Sequence, residues 1–201
     1  MGTPDFAVGV LKALIDGGIN IIAVVTGPDK PAGRGLKLKP SAVKQFAVEH
    51  NLPVLQPQKL KDSDFIQELK DLKPDLNVVV AFRMLPEVVF NLPRLGSINL
   101  HASLLPQYRG AAPINRAIME GETETGVTTF FLDKEIDTGG ILLQEKVPVF
   151  LTDNAGSLHD RLMVAGADLT LKTVRLLMSG NYSTVPQHRL IEPEKELKMA
   201  P

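Results

Sequence analysis

The chain contains no cysteine among its 201 residues. This absence excludes disulfide bonds, thiolate nucleophiles and zinc sites built on cysteine. No apolar run approaches the roughly 20 residues that a membrane-spanning helix requires, so we predict no membrane span. The opening Met1-Gly2-Thr3-Pro4-Asp5 has neither the basic nor the apolar region of a secretory signal peptide, and we expect a cytoplasmic location.

The chain also lacks an excess of either charge. It has 22 lysines and arginines against 23 aspartates and glutamates, a formal net charge of −1. No bulk attraction to nucleic acid or membrane is expected, so any nucleic-acid contact must use a local basic patch. His, Asp and Glu do not show metal-ligand spacing, and we predict no metal. The motifs of phosphate-binding P-loops, dinucleotide sites and serine hydrolases are absent as well.

What the chain does contain is an alternation of helical and strand patterns. This alternation predicts an α/β, doubly wound, Rossmann-like fold with a mostly parallel sheet. Residues 27–40 are expected to form a long loop, and the Pro- and charge-rich tail after Asn181 to be loose. Apolar periodicity predicts helices at 5–17, 41–50, 62–72, 113–119 and 157–179, and strands at 20–26, 75–82, 96–100, 126–132 and 141–149.

Polar groups follow the strand predicted at 96–100, where ligands bind in folds of this class. Asn99 and His101 are two residues apart, so their side chains point to the same side of the strand. An amide can donate to an oxyanion, and an imidazole can move a proton near neutral pH. Asp137, in an Asp-Thr-Gly-Gly turn, would orient the imidazole if the fold brings it close. The groups suit acyl-type transfer without a covalent enzyme intermediate; the alternative is a strand-end histidine and two turn residues.

Two further segments suit ligands. Ser103 is not expected to be a nucleophile, and the apolar residues after it suit the wall of a flat ring, with plain core packing as the alternative. Residues 29–40 combine glycines with cations, which suits phosphates, the alternative being a solvated basic loop. Arg83 also falls just after a strand. The two candidate sets are Ser103, Leu104, Leu105 and Pro106, and Lys30, Arg34, Lys37 and Lys39.

In order along the chain, these residues resemble the methionyl-tRNA formyltransferase family. The match covers nearly the whole chain and is most specific in the segments 29–35, 101–114, 124–128 and 136–139. The broader formyltransferase superfamily shares only the Asn, His and Asp set. The basic loop and the Tyr108-Arg109-Gly110-Ala111-Ala112-Pro113 run therefore narrow the resemblance to this family.

The resemblance implies transfer of a formyl group from 10-formyltetrahydrofolate to the amino group of methionyl initiator tRNA, by a monomer without a metal. The family's catalytic residues would fall on Asn99, His101 and Asp137. Its folate-contacting segment would fall on Ser103, Leu104, Leu105 and Pro106. Its tRNA-contacting loop would fall on 29–40, with Arg34 as the anchor beside Lys30, Lys37 and Lys39.

The resemblance also predicts where the chain departs from the family. A doubly wound sheet usually opens on a strand, and the family has an apolar one before Gly2-Thr3-Pro4, so we expect that strand to be missing. We expect residues 1–180 to form the catalytic domain and 181–201 to begin a linker to an absent C-terminal β-barrel. Many members have an acidic residue where this chain has Gly140. The alternatives are a formyltransferase for a small amine such as glycinamide ribonucleotide, and a folate- or tRNA-binding fragment without turnover.

Overall fold

The structure, a computed structural model, describes residues 1–32, 37–191 and 196–200. The chain divides into two compact units, Met1–Ser97 and Ile98–Pro201. Helices and strands alternate in both, which confirms the predicted α/β class. Within the described residues, no helix is both long and apolar enough to cross a membrane. The predicted domain boundary at residue 180 stays a prediction.

The first unit contains one parallel pair of named strands. β1 and β4 run parallel, with Val24 opposite Val54. Ser41 caps α2 by accepting a hydrogen bond from the Lys44 N–H at 3.1 Å. The elements are α1 (Asp5–Asp16), β1 (Val24–Val25), β2 (Lys30–Ala32), β3 (Lys37–Lys39), α2 (Ala42–Glu49), β4 (Val54–Leu55), α3 (Ser63–Leu72), β5 (Asn77–Val80) and α4 (Glu87–Phe90).

Met1 and Gly2 lie between β1 and β5. The Gly2 N–H donates to the Val25 carbonyl at 3.0 Å, and the Val80 N–H donates to the Met1 carbonyl at 2.9 Å. A Cβ at Gly2 would lie 2.4 Å from that of Ala7 and 2.8 Å from the Val80 carbonyl oxygen, so only glycine fits. The first strand was expected to be missing from this unit. Met1 and Gly2 occupy its place between β1 and β5.

The prediction of a long loop at 27–40 is wrong in the described residues. β2 and β3 form an antiparallel pair in which Lys30 lies opposite Lys39 and Pro31 opposite Leu38. Each strand has three residues and no β-branched side chain, so neither leaves a readable strand pattern in the sequence. Residues 33–36 are outside the described part of the chain.

The second unit is an antiparallel sheet covered by a long helix. β6 pairs with β8, placing Asn99 opposite Phe130, and β8 pairs with β9, placing Thr128 opposite Gln144. The elements are β6 (Ser97–His101, beginning at the boundary between the units), β7 (Arg109–Gly110), α5 (Pro113–Met119), β8 (Glu124–Phe131), β9 (Ile141–Pro148), α6 (Ala155–Ser179), a 3₁₀ helix (Gln187–Leu190) and β10 (Met199–Ala200).

α6 packs against β8 and β9 and buries Leu158, Leu162 and Leu177. A Cβ on Gly166 would lie 2.8 Å from the Leu100 side chain, so this glycine lets β6 approach the helix closely. Asn154 begins the helix with a capping box. The packing fixes β6, and with it the direction in which its terminal side chains point.

The tail after Asn181, expected to be loose, is ordered in its described residues. β10 pairs in parallel with β7, and the Tyr108 N–H donates to the Lys198 carbonyl at 2.7 Å. Gln187 is 3% exposed. The expectation fails because main-chain pairing and one buried amide hold this segment, and neither produces an apolar pattern in the sequence.

Candidate functional site

β6 brings the first two predicted site residues to one place. Asn99 and His101 are the third and fifth residues of the strand and share a face of the sheet, as predicted. The Asn99 Oδ1 atom is buried and has no hydrogen-bond partner in the structure. A buried acceptor without a donor costs about 1–3 kcal/mol. The fold thus leaves part of this amide's hydrogen-bonding capacity unused.

The two nitrogens of His101 have different surroundings. Nε2 lies 2.8 Å from the Tyr108 carbonyl oxygen, which can only accept, so Nε2 carries a hydrogen and donates it. Nδ1 lies 3.7 Å from Asp137 Oδ2, with 6% of the His101 side chain and 11% of the Asp137 side chain exposed. Nδ1 is therefore the ring nitrogen that faces the Asp137 carboxylate.

Asp137 joins the site from a turn between β8 and β9. Its backbone is in the left-handed region at φ 55°, and its Oδ2 accepts a hydrogen bond from the Gly110 N–H at 2.9 Å. The turn role expected as the alternative and the contact with His101 are thus both present. The structure brings Asn99, His101 and Asp137 into the second unit and pairs the last two across 36 positions of sequence (137 − 101).

Gln187 is a site residue that the sequence analysis missed. Its Nε2 donates to the carbonyls of Asp137 at 2.8 Å and Gly139 at 2.9 Å. Its Oε1 accepts from Arg109 Nε at 3.0 Å and Nη2 at 2.7 Å. A neutral residue 50 positions from Asp137 gives no signal in a single sequence.

The side chain of Tyr108 is anchored through its phenol. Its phenol donates to Glu122, which also accepts from Lys198 Nζ at 2.8 Å. Burial, and then the Glu122 carboxylate, raise the pKa of Tyr108 to about 12, so the phenol remains protonated at neutral pH. The anchored ring holds the segment whose carbonyl accepts from His101.

The segment from Ser103 to Pro106 is tied to β8 and β9. Ser103 is fully buried and donates from Oγ to the Gln107 carbonyl at 2.6 Å, so its hydroxyl is already engaged. Thr128 Oγ1 accepts from the Leu105 N–H at 3.1 Å and from Gln144 Nε2 at 2.9 Å. Leu105 packs with Phe130 and Ile141 in the core, Pro106 is buried, and Leu104 is half-buried.

The cationic candidates lie in the first unit. Lys30 and Lys39 oppose each other across β2 and β3, where like charges repel. At the base of this hairpin, Asp29 accepts from Lys44 Nζ at 2.7 Å and from Gln56 at 2.8 Å. Lys44 and then Gln56 lower the pKa of Asp29 below its usual value. Because Asp29 is engaged with Lys44, its charge does not balance the hairpin lysines.

Three other expectations can be placed. Arg34 falls outside the described residues, and Lys37 is described only as the start of β3. Arg83 donates to the carbonyls of Pro57 at 2.8 Å and Gln58 at 3.0 Å, a structural role. Among the described residues, no three His, Asp or Glu side chains come together as metal ligands would.

Comparison with known proteins identifies the family. A family model described as "Formyl transferase" matches residues 1–174. The methionyl-tRNA formyltransferase of Parabacteroides distasonis is 60% identical over 202 residues, an alignment that covers 100% of this chain and 62% of that protein. The chain thus spans less than two thirds of the length of this relative.

Solved structures show the same fold. Phosphoribosylglycinamide formyltransferase from Anaplasma phagocytophilum is similar with a TM-score of 0.75 at 24% identity, over 98% of this chain and 94% of that one. An N-formyltransferase from Helicobacter canadensis, in complex with folinic acid and dTDP-3-aminofucose, is similar with a TM-score of 0.69 at 21% identity, over 98% and 68%. These likenesses confirm the Rossmann-like α/β fold, and the match over residues 1–174 shows that the chain belongs to the formyl transferase family.

Proposed function

We propose that this chain transfers a formyl group from 10-formyltetrahydrofolate to the amino group of methionyl initiator tRNA. The observation that carries the proposal is the approach of His101 Nδ1 to the Asp137 carboxylate, 3.7 Å, on the side of β6 that also bears the Asn99 amide. Formyl transfer needs an oxyanion donor, a proton carrier and a group that orients the carrier. The 60% identity to a methionyl-tRNA formyltransferase supports this choice of acceptor.

In the proposed reaction, the methionine amine attacks the formyl carbon, forming a C–N bond and a tetrahedral oxyanion. The Asn99 amide N–H and the Nδ1–H of protonated His101 donate to that oxygen. Collapse of the intermediate breaks the bond between the carbon and the folate nitrogen. The proton lost by the amine passes by way of Asp137, directly or through water, to the departing nitrogen. Loss of one oxyanion donor costs about 10²–10³ in rate.

The donor's folate ring is proposed to lie along Ser103, Leu104, Leu105 and Pro106. The Ser103 hydroxyl, the Leu105 N–H and carbonyl, and the Leu105 side chain are engaged within the protein, so the half-buried Leu104 side chain is the group that this segment offers to the ligand. Bonds from Thr128 to this segment hold it rigid, which favours a preformed ligand wall.

The tRNA is proposed to bind the β2–β3 hairpin through Lys30, Arg34, Lys37 and Lys39. Opposed lysines cost folding free energy, and phosphates would relieve their repulsion. Phosphate contacts of this kind position a nucleic acid without reading its sequence.

The test follows formyl-methionine formation with the purified chain, 10-formyltetrahydrofolate and charged initiator tRNA. His101→Gln should abolish transfer. His159→Gln, the same change at a half-buried position of α6, should leave it intact. Transfer that persists in His101→Gln would refute the proposed role of the imidazole.

Two other outcomes would replace the proposal. Formylation of glycinamide ribonucleotide with tRNA inert would assign a small-amine acceptor. Donor binding without transfer to either acceptor would make this chain a binding fragment. A positive result must be obtained with this chain itself, since it covers 62% of the relative's length.

A further inference from the structure

A buried amide outside the predicted site is hydrogen-bonded to the turn that carries Asp137. Gln187 is 3% exposed and uses all of its hydrogen-bonding capacity within the protein. Its two N–H groups donate to the carbonyls of Asp137 and Gly139 at 2.8 and 2.9 Å. Its oxygen accepts twice from Arg109, at 3.0 and 2.7 Å. A fully satisfied buried network of this kind specifies one geometry.

The turn that Gln187 contacts has a specific backbone geometry. Asp137 has φ 55°, a left-handed conformation that aspartate adopts more readily than most residues with a side chain. A Cβ at Gly139 would lie 1.8 Å from the Phe131 carbonyl oxygen, so the turn also approaches the preceding strand closely. The two bonds from Gln187 to the carbonyls of Asp137 and Gly139 hold this backbone from a distant segment.

Three consecutive residues connect this network to the other side of the site. The Tyr108 carbonyl accepts from His101, the Arg109 side chain donates to Gln187, and the Gly110 N–H donates to Asp137. Displacement of Gln187 would thus loosen the Asp137 turn and release the Arg109 side chain at the same time. The His101–Asp137 distance depends on both.

We propose that Gln187, held by Arg109, is a positioning residue that sets the distance from the Asp137 carboxylate to His101 Nδ1. The inference rests on the proposed formyl transfer for its kinetic consequence. The segment after residue 181 then contributes to the site itself. A purely structural role would lower stability without changing the surroundings of His101.

The test uses Gln187→Met, which retains the size of the side chain and removes all four hydrogen bonds. Thr173→Val is the control because it removes a buried hydroxyl bonded to Thr129 and Leu169, on α6 rather than at the Asp137 turn. The first readout needs no substrate. In ¹⁵N-histidine NMR spectra at fixed pH, the His101 nitrogen signals, assigned by their loss in His101→Gln, should move in Gln187→Met and not in Thr173→Val.

The second readout is kinetic. Gln187→Met should lower kcat by up to about 10²-fold, the effect of a displacement of about 1 Å, with KM for both substrates nearly unchanged. Arg109→Lys should lie between wild type and Arg109→Met, because lysine retains one donor to the Gln187 oxygen.

The outcomes separate the two proposals. If wild type formylates no acceptor, the proposed function fails, while the NMR comparison still decides the role of Gln187. If wild type is active and Gln187→Met resembles Thr173→Val in both readouts, the positioning role is overturned.

Discussion

At the scale of single residues, Asp137 combines two requirements that differ chemically. The turn requires an acceptor for the Gly110 N–H, which Oδ2 supplies at 2.9 Å. The proposed transfer requires a negative charge near His101 Nδ1, which the same oxygen supplies at 3.7 Å. An amide oxygen satisfies only the first requirement, so one substitution separates them.

Asp137→Asn should therefore leave the fold intact and reduce transfer. Asparagine tolerates the left-handed conformation and can still accept from Gly110. Without the carboxylate, kcat should fall by about 10²–10⁴-fold, the usual contribution of positioned acid–base groups. Single-turnover formylation and urea unfolding measure the two effects. Unchanged kcat would contradict the assigned role.

The neighbouring glycines of the same turn should respond differently to an added methyl group. At Gly139 a Cβ would lie 1.8 Å from the Phe131 carbonyl oxygen, whereas at Gly140 it would lie 3.0 Å from the Cβ of the exposed Thr184. Gly139→Ala should cost about 3 kcal/mol of unfolding free energy and Gly140→Ala about 1 kcal/mol, because backbone cannot yield as a surface side chain can. Chemical denaturation checks the order, and equal costs would contradict it.

At the scale of elements, the connection from β9 to α6 is held by one ion pair. Arg161 donates to both carboxylate oxygens of Asp153 at 2.8 Å, and the Phe150 N–H donates to the same carboxylate at 2.8 Å. Asp153 is 4% exposed in its side chain. The Arg161 guanidinium, and next the Phe150 N–H, hold the pKa of Asp153 well below its usual range.

A lowered pKa in the folded state stabilises the protein above the unfolded-state pKa of about 3.9, and this stabilisation is lost as pH falls through the folded value. Asp153→Asn should thus lower the urea midpoint at pH 7, and its difference from wild type should shrink below about pH 4. The exposed pair of Asp75 with Arg94 is the control, since Asp75→Asn should change little. A difference independent of pH would rule out the ion pair as its source.

The same scale shows which features a single sequence predicts. α3 and α6 are recovered because their apolar residues recur at helical spacing, and α5 matches Pro113–Met119 as expected. β2 and β3 are missed because three-residue strands leave no alternation. The approach of Asp137 to His101, and the four bonds of Gln187, arise from tertiary folding, which no local pattern encodes.

At the scale of the whole molecule, charge is balanced overall but uneven along the chain. The net charge is −1, yet residues 30–39 include four cations and no acid. Asp29, just before them, is bonded to Lys44. The chain can therefore be neutral in bulk and still bind a polyanion at one place, as the proposed function requires.

The double substitution Lys30→Gln with Lys39→Gln should raise KM for charged tRNA. It should also make the plot of log binding constant against log salt concentration less steep, by about one unit for each phosphate that is no longer neutralised. The kcat at saturating tRNA should be unchanged, because these residues belong to neither the Asn99–His101 strand nor the Asp137 turn. Lys12→Gln on α1, where Lys12 pairs with Asp16, is the control. If the salt dependence of tRNA binding were unaltered, the tRNA site would have to lie elsewhere on the chain.

The acceptor for His101 Nε2 is a peptide carbonyl, that of Tyr108, rather than a side chain. Every amino acid at position 108 supplies such an oxygen, so no point mutation there can delete it. A substitution at position 108 therefore leaves the hydrogen on His101 Nε2, because the acceptor remains. A saturation library at position 108 should report the loss of the phenol anchor, and never the loss of the acceptor itself.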